Sequence, residues 1–189
     1  TGTYTVNSAA ATDILSAGTN FQNFTDLAYY ATKSFVSGPV TVNVTPGSGP
    51  YSEQVEFGRH QYTGSNRITI NGNGEILEYY SIISLKPHVI KFAGSNMITI
   101  NNLVIVGKGR HQWNVLFTKD VNDCNDISIT NCYISCLLAG SNNSYLIPIV
   151  STDTFTEPTA TNGHRMKNII IDSCEIVGGM TGILFRGDP

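Results

Sequence analysis

Charge is what this chain has least of. Only 13% of its 189 residues are Asp, Glu, Lys or Arg, about half the roughly 25% of an average soluble protein. The formal net charge is -3 and no basic stripe forms, which argues against nucleic acid as a partner. No apolar run approaches the ~18 residues that a spanning helix needs, so the chain reads as not membrane-spanning. Its four cysteines, Cys124, Cys132, Cys136 and Cys174, lack zinc-ligand spacing and are too few for a disulfide scaffold. Thr, Ser, Asn and Gly take the place of charge, a composition that suits a β-rich, turn-rich exterior. Hydrophobic residues make up 41% of the chain, enough for one domain with its own core. The chain starts on Thr1 rather than Met, as expected of a protein whose leader has been removed or of a fragment.

What is present is a repeat. The segments Arg67-Ile-Thr-Ile-Asn-Gly, Met97-Ile-Thr-Ile-Asn-Asn, Asp126-Ile-Ser-Ile-Thr-Asn and Asn168-Ile-Ile-Ile-Asp-Ser align on Ile70, Ile100, Ile129 and Ile171. The intervals are 30, 29 and 42 residues. The last is one repeat plus an insertion, visible as the polar run from Ser151 to Arg165. A period of 20–50 residues marks a solenoid whose units stack on one another. Within each unit, isoleucines alternate with Thr, Ser or Ile, the two-residue period of a β-strand buried on one face. Asn102, Asn131 and Ser173 follow, with Gly72 in the first unit, at a bend that requires left-handed backbone angles. Beyond it the inward positions resume at Leu103 and Ile105, Cys132 and Ile134, Cys174 and Ile176.

A further strand set, "VIKFAG", "NVLFTK" and "GILFRG", places Ile90/Phe92, Val115/Phe117 and Ile183/Phe185 inward. Lys91, Leu116 and Leu184 then face outward. "YLIPIVS" supplies the matching strand of the third unit, made irregular by Pro148. Stacked coils imply ladders of like residues: Ile70, Ile100, Ile129 and Ile171; Asn102 over Asn131; Cys132 over Cys174. Upstream, Phe24, Leu27, Ala28, Ala31 and Phe35 recur at helical spacing, with Asn23 as N-cap and Asp26 in the capping-box position. Such a helix would close the open end of a solenoid. The expected organisation is one module over 1–189, with an N-terminal segment at 1–38, coils at 39–189 and continuation beyond 189 in a parent protein.

Over roughly residues 20–189 the sequence resembles the right-handed parallel β-helices of the pectin lyase-like superfamily. The resemblance lies in the helix followed by "GPVTVNV", in "GSGPYSEQVEF", in "NRITINGNG" and in the recurrent "GILF"-like coils. "PYSEQV" is similar to a segment that opens pectin methylesterases and many noncatalytic relatives. The chain also resembles N-terminal modules of large secreted surface proteins and adhesins from gliding bacteria that use type IX secretion. The resemblance implies an all-β fold, a right-handed parallel β-helix (solenoid) with a short N-terminal capping α-helix. It also implies a secreted, cell-surface location.

Fold alone does not give function. Enzymes of the resembling group work on the outer face of a strand ladder, and the motifs that carry esterase chemistry there are missing. The inferred outward stripe of Lys91, Leu116 and Leu184 offers no paired carboxylates for glycosidic acid–base chemistry. Asp120, Asp123 and Asp126, in "KDVNDCND", would suit calcium if a turn gathered them. The competing reading is a solvated turn satisfying its own backbone, because the spacing matches no calcium loop. No other cofactor is expected. Lys108, Arg110, His111 and Trp113 would suit a sugar, the indole stacking on a ring. The competing reading, which the sequence favours, is a long loop with Trp113 covering apolar surface. Glu53 reads as structural. Three functions are carried forward. The first is a noncatalytic structural or adhesive surface module whose partners are surface glycans or further copies of the same protein. The alternatives are a polysaccharide lyase or glycoside hydrolase, and a carbohydrate-binding module.

Overall fold

The computed structural model describes residues 1–16, 18–81, 86–110, 112–138, 145–154, 158–159 and 165–186. The N-terminal segment holds β1 (Gly2–Val6), β2 (Asn20–Phe21), α1 (Phe24–Lys33) and β3 (Phe35–Val36). A first coil follows with β4 (Val40–Val44), β5 (Tyr51–Ser52) and β6 (Val55–Phe57), and β7 (Gln61–Tyr62) lies between it and the next. The second coil is β8 (Ile68–Asn71), β9 (Ile76–Tyr79) and β10 (His88–Ala93). The third is β11 (Asn96–Asn101), β12 (Val104–Gly107) and β13 (Gln112–Thr118). The fourth is β14 (Asn125–Thr130), β15 (Tyr133–Ser135) and β16 (Leu146–Ser151). The fifth is β17 (Ile170–Asp172), β18 (Glu175–Val177) and β19 (Ile183–Leu184).

Each coil gives one strand to each of three sheets, always in the same order. The first sheet runs β17-β14-β11-β8-β4-β1-β2, the second β18-β15-β12-β9-β5 and the third β19-β16-β13-β10-β6. Every pairing is parallel, and among the five coils each joins a strand to its counterpart one coil away. The fold is thus all-β with one α-helix, its stacked parallel sheets consistent with a β-solenoid. Ile70 pairs with Ile100, Ile100 with Ile129, and Ile129 with Ile171, so the isoleucine ladder lies along one sheet as the repeat requires. Inside the third sheet Phe57 stacks on Phe92 (ring centroids 5.8 Å apart) and Phe92 on Phe117 (5.2 Å). Phe185 meets Phe117 edge-on.

Two columns of left-handed backbone turn the coil. Asn102, Asn131 and Ser173 have φ of 52°, 53° and 52°, at the bend expected between the first and second sheets. The first unit departs from expectation. Asn73 (φ 52°) takes the bend, not Gly72. Gly72 is required for another reason: a Cβ there would lie 2.5 Å from the Asn102 carbonyl oxygen of the next coil. Between the paired positions Asn71/Asn101 and Ile76/Val104 the unit is two residues longer than the next, which separates the bend from the close approach. The other column, Met97, Asp126 and Asn168 at φ 53–55°, enters the first sheet. The isoleucine pattern gave no sign of it.

The hydrogen-bonded asparagine ladder stands beside the expected one. Asn71 Nδ2 donates to Asn43 Oδ1 (2.9 Å), Asn101 Nδ2 to Asn71 Oδ1 (3.4 Å) and Thr130 Oγ1 to Asn101 Oδ1 (3.1 Å). These are outward positions of the first sheet. Asn131 joins the column through Nδ2 to Asn101 Oδ1 (2.8 Å). Pro148 lies within β16 opposite Asn114, a pair left out of an otherwise continuous register, so its missing N–H falls between paired positions.

α1 buries Phe24, Leu27, Ala28 and Ala31 in the same core as the coil interiors. Asn23 Oδ1 accepts the Asp26 N–H at 2.7 Å, one half of a capping box. The Asp26 carboxylate instead accepts the Thr12 hydroxyl. The other cap comes from the first coil, where Glu53 accepts the N–H groups of Phe24 (3.0 Å) and Thr25 (2.8 Å). A carboxylate on free N–H groups at the positive end of a helix dipole is the favourable arrangement. Glu53 therefore ties the helix to the coil. No helix among the described residues is long and apolar enough to cross a membrane.

Candidate functional site

The outer face of the third sheet is where side chains from successive coils meet, and its register is continuous: Glu56, Lys91, Leu116, Val150 and Leu184. Lys91 Nζ lies 3.1 Å from Glu56 Oε1. Leu116 and Val150 are fully buried, in a small cluster with Trp113 and Ile147 against which Leu184 packs. The sequence places Leu116 and Leu184 facing outward. That holds for direction, but Leu116 is sealed from solvent and Leu184 is half-buried. Among these five positions the carboxylate is Glu56, and it is paired with Lys91.

The expected sugar contacts separate. Trp113 is 1% exposed and its Nε1 has no hydrogen-bond partner, so the indole packs on Leu116 and Ile147 and offers no platform to a ring. Lys108 Nζ lies 2.5 Å from Glu78 Oε2. Arg110 is exposed, and His111 lies outside the described residues. Gln112 is buried, its Oε1 accepting the Gly109 N–H at 3.2 Å, which folds the turn inward. Trp113 thus lies against apolar side chains, as the reading that the sequence favours has it, but within β13 rather than in a long loop.

The expected calcium ligands also go separate ways. Asp123 Oδ1 accepts the Arg165 N–H at 3.0 Å, and Asp126 Oδ1 accepts Asn168 Nδ2 at 2.9 Å. The Asp120 N–H bonds to the Asn122 carbonyl at 3.2 Å. No group of three or more His, Cys, Asp or Glu side chains among the described residues is placed to hold a metal ion. Asp123 and Asp126 serve the neighbouring coil rather than the backbone of their own turn.

The "KDVNDCND" turn does meet something the sequence kept apart from it. Only Gly94 and Ser95 connect β10 to β11, whereas longer connections follow β6 and β13. Gly94 (φ 61°) is fixed by closeness, since a Cβ there would meet the Asn122 carbonyl oxygen at 2.7 Å. The short corner between two long ones leaves a cleft of ≈ 620 Å³, lined by Arg59, His60, Gln61, Lys119, Asn122 and Asp123 among others. Phe35, which is 55% exposed, also lines it. Phe35, Arg59 and Gln61 border a neighbouring hollow of ≈ 320 Å³ that includes Lys33. The size falls within the ~300–1,000 Å³ of small-ligand sites.

His60 is 3% exposed, and neither ring nitrogen makes a well-formed hydrogen bond. Burial lowers its pKa, with the Gly58 backbone offsetting part of the effect. Arg-His-Gln occurs twice in the sequence, at 59–61 and 110–112, and the two are not equivalent: the first buries His60 beside a cleft, the second buries Gln112. Asn125 Oδ1 is buried without a partner in the same place. An exposed arginine, an exposed aromatic ring, several amides and unsatisfied buried atoms can together hold a polar ligand with a flat face. Comparison with protein-family models, curated proteins and solved structures returned no match.

Proposed function

We propose that the chain is a right-handed parallel β-helix of the pectin lyase-like kind, capped by α1, and that it serves as a noncatalytic structural or adhesive module of a secreted bacterial surface protein. Surface modules of gliding bacteria with type IX secretion are the group it resembles. The observation that carries the reading is the outer face of the third sheet. Where enzymes of this architecture gather catalytic carboxylates, this chain presents buried Leu116 and Val150 and a Glu56–Lys91 ion pair. Rungs spaced ~4.8 Å apart and joined by interior ladders make a stiff rod, which suits a stalk that holds contacts away from a surface.

A carbohydrate-binding role is the second reading, and the cleft at Arg59, His60 and Phe35 favours it over the Trp113 loop. The test of both is adhesion without turnover. Beads carrying the chain are expected to adhere to glycan-coated surfaces above bare beads, while soluble polysaccharides incubated with it release neither reducing ends nor unsaturated uronates. Product formed with turnover would establish an enzyme and overturn the proposal. Loss of adhesion on Arg59→Ala with Phe35→Ala would assign the contact to the cleft.

A further inference from the structure

The coils bring two cysteines into equivalent places. Thr130 pairs with Asp172 and Tyr133 with Glu175, so Cys132 and Cys174 occupy matching positions of neighbouring rungs. Their thiols are set alike. Cys132 Sγ donates to the Thr130 carbonyl two residues back (3.2 Å) and to Ile100 in the preceding coil (3.8 Å). Cys174 Sγ donates to Asp172 (3.3 Å) and to Ile129 (3.4 Å). In-register parallel rungs lie ~4.8 Å apart, inside the ~4.4–6.8 Å Cα separation that a disulfide spans. Both thiols are free.

We propose that Cys132 and Cys174 are a cross-linking site, which closes to a disulfide between the last two rungs when a disulfide oxidant is present. Cys174 is half-buried and Cys132 is 2% exposed, so Cys174 reacts first. Its thiolate attacks an oxidant RSSR, forming Cys174–S–SR and releasing RS⁻. Cys132 then gives up its proton to the released RS⁻ and attacks the Cys174 sulfur. The Cys132–Cys174 bond forms and the second RS⁻ leaves, so two thiols are oxidised and one disulfide is reduced to two thiols. The other cysteines have no such counterpart. Cys124 bonds to the Phe92 and Thr118 carbonyls in another corner, and Cys136 faces Gly179 of the next coil. The bond would pin the fifth coil to the fourth and close the chain segment that carries the long insertion. The inference does not depend on the adhesive reading.

The test uses the full chain treated with oxidised glutathione, then peptide mapping without reduction and a thermal melt. A linked peptide pair containing Cys132 and Cys174 is expected, with the loss of two hydrogens. The melting midpoint should rise by roughly 5–10 °C. Cys174→Ser should abolish both changes, and Cys124→Ser with Cys136→Ser should keep them. Four thiols still titrating, a stable glutathione adduct on Cys174, or dimers joined through Cys174 would each overturn the proposal.

Discussion

At single residues, the strongest constraint is the left-handed backbone at each coil corner. A side chain without a local polar group costs about 1–2 kcal/mol in that conformation, and Asn or Gly costs less. Asn102→Ala should therefore lower unfolding free energy by about 1 kcal/mol, and Asn102→Gly should stay near the parent in urea titration. Met97 sits in the same conformation as Asp126 and Asn168 on the neighbouring rungs. Met97→Asn is thus expected to raise stability by about 0.5–1 kcal/mol, and a loss would mean that its half-buried side chain matters more than its backbone. Asn102 and Asn131 were legible because an isoleucine alternation stops beside them. Met97 was not, since a methionine carries no turn signature and only alignment with Asp126 and Asn168 exposes the column. Glu53 was legible as structural but not as a helix cap, because its partners lie 28–29 residues away.

For whole strands, β13 tells most. All seven of its residues are buried, so both faces are covered, and the two-residue period that marks the strand does not reveal that its outer face is covered too. The consequence for Trp113 is a stability effect. Trp113→Ala should cost about 3–5 kcal/mol by chemical denaturation, and a variant as stable as the parent would place the indole in solvent after all. The adjoining strand, β10, begins with His88, which is buried. Burial first, then the charges of Lys91 and Lys86, push its pKa down to about 3 from an ordinary 6.5. In the unfolded chain His88 takes up its proton below about pH 6.5, while the folded protein resists until about pH 3. The folded state therefore binds fewer protons in that window, and stability falls as pH drops through it. The loss should reach the order of several kcal/mol near pH 3. Replacing His88 with Asn should flatten that slope in denaturation titrations from pH 7 to pH 4. An unchanged slope would assign the acid sensitivity to other groups.

Across the molecule, the same one-dimensional stacking explains both what the sequence revealed and what it concealed. Register within a coil follows from local alternation, which is why the isoleucine ladder was readable from four short segments. The cleft depends on the relative lengths of three successive corners, and its walls, Arg59 and Asp123, come from different coils, so no local pattern announces it. Stacking also governs how stability is distributed, because each rung gains its energy from the rungs above and below. At one end α1 adds its apolar face to the core and Glu53 fastens it there. Among the described residues β17, β18 and β19 each pair on one side only, and Ile170, Ile183 and Phe185 are substantially exposed in this chain. Amide exchange followed by mass spectrometry should be slowest in β8, β11 and β14 and fastest in β17–β19, which open before the rest. Equal protection in all five coils would mean that the chain unfolds as one unit and that nearest-neighbour stacking is not what holds its rungs.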